Sequence, residues 1–392
     1  MTATLIIAIV TIAWCLLSRR LSQTVVTAPM VFILLGYALA EGGGRDAEVI
    51  HVLHAVAELA LVVLLFLDAA QTDLRKLRSH RQWPVRMLLV GLPLAVALGT
   101  GMVALLAPNW PLATAALAAA ILAPTDAALG QAVISNPQVP ARQRQALTVE
   151  SGLNDGLALP LVLMLASLAA GTGSGEGGYW LRFAAAQVIL GPAAGIAVGW
   201  AGARLMNLAV ARGTSSEAFE GIATLALAGA AYVLADLLGG NGFIAAFAGG
   251  LAFGHVVTRR SGFVYHFAEG DGQILAWSAF LLIGLGLMPD AVRALDGRML
   301  AIILLSLFVI RPAAIWLSLA GTDADGPTRL FFGWFGPRGL ATALFALLVV
   351  PDIDPVEAEP ILHLAVNAVW ISAMLHGITA APLSRRFARR QA

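Results

Sequence analysis

Charged residues are scarce in this chain of 392 residues: they make up 12% of it, whereas 59% of the residues are hydrophobic. A soluble globular domain carries about 25% charged residues. This deficit, together with repeated apolar runs of about 20 residues, excludes an ordinary soluble domain and indicates a polytopic helical membrane protein. The short alternating segments typical of a membrane β-barrel are missing.

Cysteine is nearly absent as well, and the single Cys15 excludes a disulfide framework within one chain. The seven histidines lie near predicted span ends or in loops, and none has the spacing that a zinc site requires. No transition-metal site and no cofactor are therefore predicted. The net charge of +1 gives no indication of nucleic acid binding. The first apolar run leads into Arg19-Arg20 without a small-residue cleavage site, which favours a first span over a signal peptide.

Apolar runs separated by polar or Gly/Pro-rich segments predict about thirteen transmembrane helices and no soluble domain. The predicted spans are roughly 2–18, 24–40, 51–68, 85–107, 111–132, 145–171, 180–210, 218–239, 241–257, 271–288, 298–320, 327–350 and 357–384.

Basic residues concentrate in alternate loops, while the intervening loops are mostly acidic or nearly uncharged, with 289–297 as the exception. The basic loops carry Arg19 and Arg20; Arg75, Lys76, Arg78 and Arg81; Arg142 and Arg144; Arg212; Arg259 and Arg260; Arg329; and Arg385, Arg386, Arg389 and Arg390. By the positive-inside rule these loops are cytoplasmic. The N-terminus is then outside and the C-terminus inside, which requires an odd number of spans.

The sixth predicted span contains a polar stripe in an otherwise apolar helix. Glu150, Ser151, Asn154 and Asp155 fall on one side of it at 3.6 residues per turn. A carboxylate within the bilayer costs about 2.5–3.5 kcal/mol even on lenient insertion scales. Such groups persist only if they are paired, face water or bind something, so this stripe is the predicted functional site.

Two other spans contain Gly/Pro breaks at mid-membrane. The fifth has Ala123-Pro124-Thr125-Asp126, and the twelfth has Gly336-Pro337-Arg338-Gly339. Broken backbone at this depth is tolerated where it lines a polar cavity or is buried in protein. Breaks seven spans apart fit two inverted six-helix repeats, about 1–171 and 218–384, joined by a linker helix at about 180–210.

Arg311 lies in the middle of the eleventh span, and a buried arginine needs a buried anion. Its candidate partners, Glu150, Asp126, Asp155 and Glu58, are not distinguished by these arguments. For Glu58, in the third span, a role at the site and a packed neutral side chain are equally compatible with the sequence.

These motifs, in this order, resemble the membrane domain of NhaP-type monovalent cation/proton antiporters, relatives of the animal sodium/proton exchangers. The resemblance covers essentially the whole chain and rests on the Thr125-Asp126 and Glu150-Ser151-x-x-Asn154-Asp155 motifs, with support from Arg311-Pro312 and the second break. It implies a secondary transporter rather than an enzyme, in the inner (plasma) membrane, acting in pH homeostasis as a homodimer. The longer cytoplasmic tail common in the family does not appear here.

The resemblance also implies roles for individual residues. Asp155 would bind either a proton or a cation, with Asp126, Thr125, Ser151 and Glu58 contributing further oxygens. By the same resemblance, Asn154 would orient Asp155, and Glu150 would pair with a buried arginine, for which Arg311 is preferred. Arg338 would brace the crossing of the two broken helices.

The implied activity is exchange of Na⁺ or Li⁺ for H⁺ by alternating access, with an elevator-like motion. Because Asn154 stands where a second aspartate would titrate, exchange is expected to be electroneutral, 1:1. K⁺/H⁺ exchange is the alternative, since it uses the same oxygen ligands. An intramembrane aspartyl hydrolase built on Asp126 and Asp155 is a further alternative, but the Tyr-Asp and Gly-x-Gly-Asp motifs typical of that class are missing. A cation channel on the same scaffold is another alternative, and it would differ from an antiporter by passing ions without a proton gradient.

Overall fold

The described part of the chain in the computed structural model comprises residues 2–21, 24–40, 47–72, 81–134, 136, 138–171, 177–257 and 262–391. Within these ranges the regular secondary structure is entirely helical. The basic residues Arg75, Lys76, Arg78, Arg259 and Arg260, on which the orientation prediction partly depends, lie outside the described residues.

The helices follow the predicted order of spans. Numbered along the chain, they are α1 Thr2–Leu21, α2 Ala28–Leu39, α3 Ala47–Gln71, α4 Gln82–Leu106, α5a Leu112–Ile121, α5b Ala127–Ile134, α6 Ala141–Ala169, α7 Gly177–Ala211, α8 Glu217–Leu237, α9 Gly242–Val256, α10 Gly262–Gly286, α11 Gly297–Ser318, α12a Gly326–Trp334, α12b Leu340–Val349 and α13 Pro355–Gln391. A short helix, Met288–Arg293, connects α10 to α11. The prediction of an all-α chain is confirmed.

Seven helices in the described ranges are long and apolar enough to cross a membrane: α3, α4, α6, α7, α8, α11 and α13. The remaining predicted spans coincide with shorter helices or with the half-helix pairs α5a/α5b and α12a/α12b. The largest boundary error is in the tenth span, whose helix begins at Gly262 rather than near 271.

Backbones touch directly in a layer formed by α3, α7 and α9. Gly195 and Gly199 of α7 face carbonyl oxygens of α9, and Gly250 and Gly254 of α9 face carbonyl oxygens of α3. The pairs are Gly195 with Ala245, Gly199 with Gly249, Gly250 with Phe66 and Gly254 with Ala70; an added Cβ would lie 2.0 to 2.1 Å from the carbonyl oxygen. Only glycine permits this approach. We call these three helices the glycine layer.

The site-bearing helix α6 lies against this layer through side chains. A Cβ at Gly152 would come within 2.4 Å of the Phe247 ring, and one at Gly156 within 2.3 Å of the Ile244 side chain. Asn241, which caps the start of α9, donates through Nδ2 to the Gly156 carbonyl at 3.1 Å. Gly152 and Gly156 thus allow α9 to approach α6 closely, and glycines four residues apart are typical of such a close helix contact.

One π-helical turn interrupts each of α4 and α11, at Met87–Gly91 and Ser306–Ile310. In both, the residue preceding a proline donates its N–H five residues back: Leu92 to Met87 and Arg311 to Ser306. The proline ring removes the next donor and crowds the preceding turn. Such turns frequently occur at functional sites, and the second one ends at the arginine singled out above.

Candidate functional site

The two broken helices meet where their backbones are interrupted. Helix α5a ends at Ile121 and α5b begins at Ala127, while α12a ends at Trp334 and α12b begins at Leu340. Across the crossing, the Asp126 N–H donates to the Pro337 carbonyl at 2.8 Å. The interrupted segments are buried, so their free backbone groups need partners from the protein.

Asp126 supplies acceptors to the N-terminal ends of both second half-helices. Its Oδ1 accepts the N–H of Leu129 in α5b at 3.2 Å, and its Oδ2 accepts the N–H of Leu340 in α12b at 2.6 Å. A negative charge is favourable at a helix N-terminus, where unpaired N–H groups and the dipole point outward. Gly339 makes room for this arrangement, because a Cβ there would lie 1.8 Å from Asp126 Oδ2.

Arg338 supplies the opposite charge to the end of α5a. Its Nη1 donates to the carbonyls of Ala123 and Pro124 at 2.8 and 3.0 Å. The side chain is 2% exposed, and a positive charge complements the carbonyl end of a helix. Arg338 therefore braces the crossing, the role that the sequence resemblance implies for it.

Glu150 and Arg311 form a buried bidentate ion pair. Nη1 lies 3.1 Å from Oε1 and Nη2 lies 3.1 Å from Oε2, and the two side chains are 4% and 5% exposed. The guanidinium packs over Gly336, where an added Cβ would lie 1.6 Å from Arg311 Nε. The structure thus pairs Glu150 with Arg311, the preferred of the two arginines.

Thr125, Ser151 and Asn154 form a hydrogen-bonded group beside this pair. Asn154 Nδ2 donates to Thr125 Oγ1 at 2.6 Å and to Glu150 Oε1 at 3.3 Å. The Thr125 hydroxyl lies 3.2 Å from Ser151 Oγ and donates to Glu150 Oε2 at 3.3 Å. The polar stripe of α6 and the break in the fifth span are therefore in direct contact.

Asp155 is 2% exposed, and Asp126 and Glu150 lie within electrostatic range of its carboxylate. Among the described residues, no hydrogen-bond partner reaches Asp155 Oδ1, nor the buried Asn154 Oδ1 next to it. Buried polar atoms nearly always have partners, and an exception calls for an explanation such as an ion or water. The stripe thus presents buried oxygens suited to a hard cation or a proton.

Glu58 has other neighbours. Its carboxylate lies 3.7 Å from His54 Nδ1, one turn earlier on α3, and hydrogen-bonds to Tyr232 of α8. The side chain is 30% exposed. No described contact joins it to Asp155, so the structure does not bring this predicted ligand together with the other site residues.

His376 and Ser372 of α13 also contact the crossing, although the sequence arguments did not single them out. The expectation that every histidine lies near a span end or in a loop is wrong for His376, because α13 continues to Gln391. Ser372 Oγ accepts the Arg338 N–H at 2.8 Å, and His376 Nε2 lies 2.9 Å from the Trp334 carbonyl. The available signal was a Ser/His pair four residues apart in an apolar helix.

Comparisons with known proteins identify the family of this chain. The sodium/hydrogen exchanger transmembrane family model matches residues 5–386. The K(+)/H(+) antiporter NhaP2 of Shewanella oneidensis is 26% identical over 393 residues, which cover 97% of this chain and 66% of that protein. The K(+)/H(+) antiporter NhaP of Alkalimonas amylolytica is also 26% identical, over 97% of this chain and 65% of its own length. This chain thus spans slightly less than two thirds of these relatives.

The fold has a solved counterpart. The sodium proton antiporter MjNhaP1 from Methanocaldococcus jannaschii superposes with a TM-score of 0.76 over 99% of both chains, at 19% identity. That likeness concerns the fold alone, and it shows that the helices described above have the polytopic architecture of an NhaP antiporter. The family match covers nearly the whole sequence, and this multi-pass membrane protein belongs to the transmembrane sodium/hydrogen exchanger family.

Proposed function

We propose that this protein is a secondary antiporter that exchanges a monovalent cation for H⁺ by alternating access. The observation that carries the proposal is Asp155, a buried carboxylate of α6 with one oxygen that has no hydrogen-bond partner among the described residues. In the proposed cycle this carboxylate holds either a proton or a cation. Burial penalises its bare charge, so one of the two must be present whenever the site is closed. Release of one on one side allows the other to bind.

The proposed ligands are oxygens, as hard cations prefer. Thr125 and Ser151 offer hydroxyls at the stripe, and Asp126 is proposed as a further carboxylate ligand. We retain Glu58 as a proposed outer carboxylate on the resemblance alone, since its observed contacts are His54 and Tyr232. The site residues supply no transition-metal chemistry in this proposal, and no cofactor enters the cycle.

Charge balance supports a 1:1, electroneutral exchange. Glu150 is paired with Arg311 through two charge-assisted hydrogen bonds, and in the proposed cycle this ion pair stays intact throughout. Asn154 carries no titratable proton, so Asp155 is the only stripe carboxylate proposed to exchange. Ion flux through reconstituted protein should then produce no current in a voltage-clamped membrane; a current proportional to the flux would contradict this stoichiometry.

Na⁺ or Li⁺ is the proposed cation. K⁺ is the second candidate, because the two relatives compared above carry the name K(+)/H(+) antiporter. A channel, by contrast, would conduct either ion without a proton gradient. The proposed role of a secondary transporter, without enzymatic activity, is control of cellular pH.

The repeat organisation and topology are also proposals. Two features recur seven spans apart: the helix breaks, in α5a/α5b and α12a/α12b, and the π-helical turns, in α4 and α11. This recurrence supports inverted repeats at about 1–171 and 218–384 joined by α7. We propose a plasma-membrane homodimer with the N-terminus outside and the C-terminus in the cytoplasm.

The decisive test is cation-driven proton flux in proteoliposomes with Asp155→Asn. The matched control is Asp354→Asn, which removes an exposed loop carboxylate whose only described hydrogen bond, from Val356 N–H, an amide can still accept. Wild type and the control should dissipate a pH gradient on addition of Na⁺, Li⁺ or K⁺, and Asp155→Asn should not. Full activity in Asp155→Asn would refute the mechanism; no response of wild type to any cation across pH would refute antiport.

A further inference from the structure

One face of α13 follows the break in the twelfth span. Ser372, His376 and Thr379 are spaced four and three residues apart and therefore share a helix face. Each contacts the segment from Trp334 to Arg338: Ser372 Oγ receives the Arg338 N–H, His376 Nε2 meets the Trp334 carbonyl, and Thr379 Oγ1 receives the Trp334 indole N–H at 3.0 Å. The imidazole also stacks on the Trp334 ring, with centroids 4.9 Å apart.

The neutral tautomer with its proton on Nε2 satisfies the hydrogen bonds that link Arg338, Ser372, His376 and Trp334, while Nδ1 also lies 2.9 Å from the Ser372 carbonyl oxygen. The Arg338 N–H donates to Ser372 Oγ at 2.8 Å, and the Ser372 hydroxyl donates to His376 Nδ1 at 3.0 Å. The His376 Nε2–H then donates to the Trp334 carbonyl at 2.9 Å. With the proton on Nδ1 instead, that N–H would donate to the Ser372 carbonyl, but Nε2 and the Trp334 carbonyl would face each other as two acceptors and the link to the break would be lost.

This chain spans the interruption itself. Trp334 is the last residue of α12a, and Arg338 lies just before α12b. Helix ends leave carbonyls and N–H groups without helical partners, and burial makes unpaired ones costly. At the carbonyl end of α12a, the Trp334 oxygen accepts the Gly336 N–H at 2.8 Å and is also contacted by His376 Nε2, much as Arg338 contacts the carbonyls that follow α5a. Ser372 and His376 are 0% and 2% exposed, so their hydrogen bonds are shielded from bulk water.

We propose that His376, acting with Ser372, is a positioning residue of the exchange site. The pair fixes the separation of Trp334 from Arg338. It thereby fixes where the Arg338 guanidinium meets the carbonyls of α5a and where Gly339 meets Asp126. Their influence on the cation is indirect, through the backbone of the break. This inference rests on the proposed antiport for its transport consequence and on the hydrogen-bond geometry for its structural one.

The test uses the purified full chain with four variants. His376→Gln keeps an amide N–H that can reach the Trp334 carbonyl, whereas His376→Leu fills the space without any donor. Ser372→Ala cuts the link to Arg338. Its matched control is Ser384→Ala on the same helix, because the Ser384 hydroxyl is equally buried and has no described hydrogen-bond partner.

Loss of a buried hydrogen bond corresponds to about tenfold in an equilibrium constant, so His376→Leu and Ser372→Ala should raise the apparent KM for the cation about tenfold. His376→Gln and Ser384→Ala should stay near wild type. A purely space-filling role would lower the amount of active protein and leave KM unchanged. A normal KM in His376→Leu, or a His376→Gln variant as impaired as His376→Leu, would overturn the proposal.

Hydrogen–deuterium exchange of the peptide covering 334–342 separates this inference from the proposed function. Exchange in this segment should accelerate in His376→Leu and Ser372→Ala, and stay slow in wild type, His376→Gln and Ser384→Ala. That readout needs no transport, so it decides the positioning role even if wild type moves no cation. Unchanged protection in His376→Leu would overturn the proposal whatever the flux measurements give.

Discussion

Removing one partner of the buried Glu150–Arg311 pair should destabilise the protein more than removing both. Arg311→Gln leaves the Glu150 carboxylate in a site where both side chains are about 95% buried. Two charge-assisted hydrogen bonds of 3.1 Å are lost. Breaking a buried pair in this way costs about 3–5 kcal/mol, since a buried charge remains uncompensated. The hydrogen bonds from Thr125 and Asn154 to Glu150, both at 3.3 Å, place the cost at the lower end of that range.

The double substitution Glu150→Gln with Arg311→Gln removes both charges together. Replacing a whole buried pair by neutral groups is often close to neutral in stability, and the two amides can still hydrogen-bond. We therefore expect wild type to be the most stable, the double variant to be slightly less stable, and either single variant to be the least stable. The assay is the fraction of monodisperse protein that survives heating in detergent, followed by size-exclusion chromatography. A double variant that loses the sum of the two single losses would refute the argument, because the two side chains would then act independently.

Two further predictions concern the crossing and the loop between α11 and α12a. Gly339→Ala should displace Asp126 Oδ2, reduce stability by about 1–3 kcal/mol through overpacking and abolish exchange. The control Gly101→Ala, where nothing lies within 4 Å of the added Cβ, should change neither stability nor exchange. Ion flux and thermal survival of both variants test this prediction. The hydrogen bonds from Arg142 hold the pKa of Asp323 below its usual range. Its stabilising contribution is therefore present above the ordinary pKa of about 3.9 and is lost as the pH falls through the lowered value. Asp323→Asn should accordingly reduce stability at pH 7 by at most about 1 kcal/mol, as for other exposed pairs, with the difference vanishing in acid; a difference that grows in acid would contradict the assignment.

The order of helices was predictable because lipid imposes a simple physical demand. A span must be apolar over about 20 residues, and only proline or glycine breaks combined with polar groups depart from that pattern. The interruption at Pro124 and the stripe on α6 were visible for this reason. The start of α10 was placed too late because residues 262–270 include polar side chains. Polarity limits membrane depth, but it does not end a helix.

Partner choice was less accessible to sequence reasoning. Glu150 and Arg311 are 161 positions apart, and helical periodicity gives the face of each helix without stating which helix lies opposite. The same limit left the role of Glu58 open in the sequence, and its described neighbours are His54 and Tyr232. His376 was missed because its helix was predicted to end earlier, which made an interior residue resemble a terminal one.

The glycine layer of α3, α7 and α9 has a mechanical consequence. Side-chain-packed helices slide past each other in small steps by changing rotamers, which is how shear motions proceed. A contact between a glycine and a carbonyl contains no rotamer to change. We therefore expect the three helices to move together as one rigid unit. We expect small adjustments instead at the surface where the glycines of α6 meet the Phe247 and Ile244 side chains, which can change rotamer.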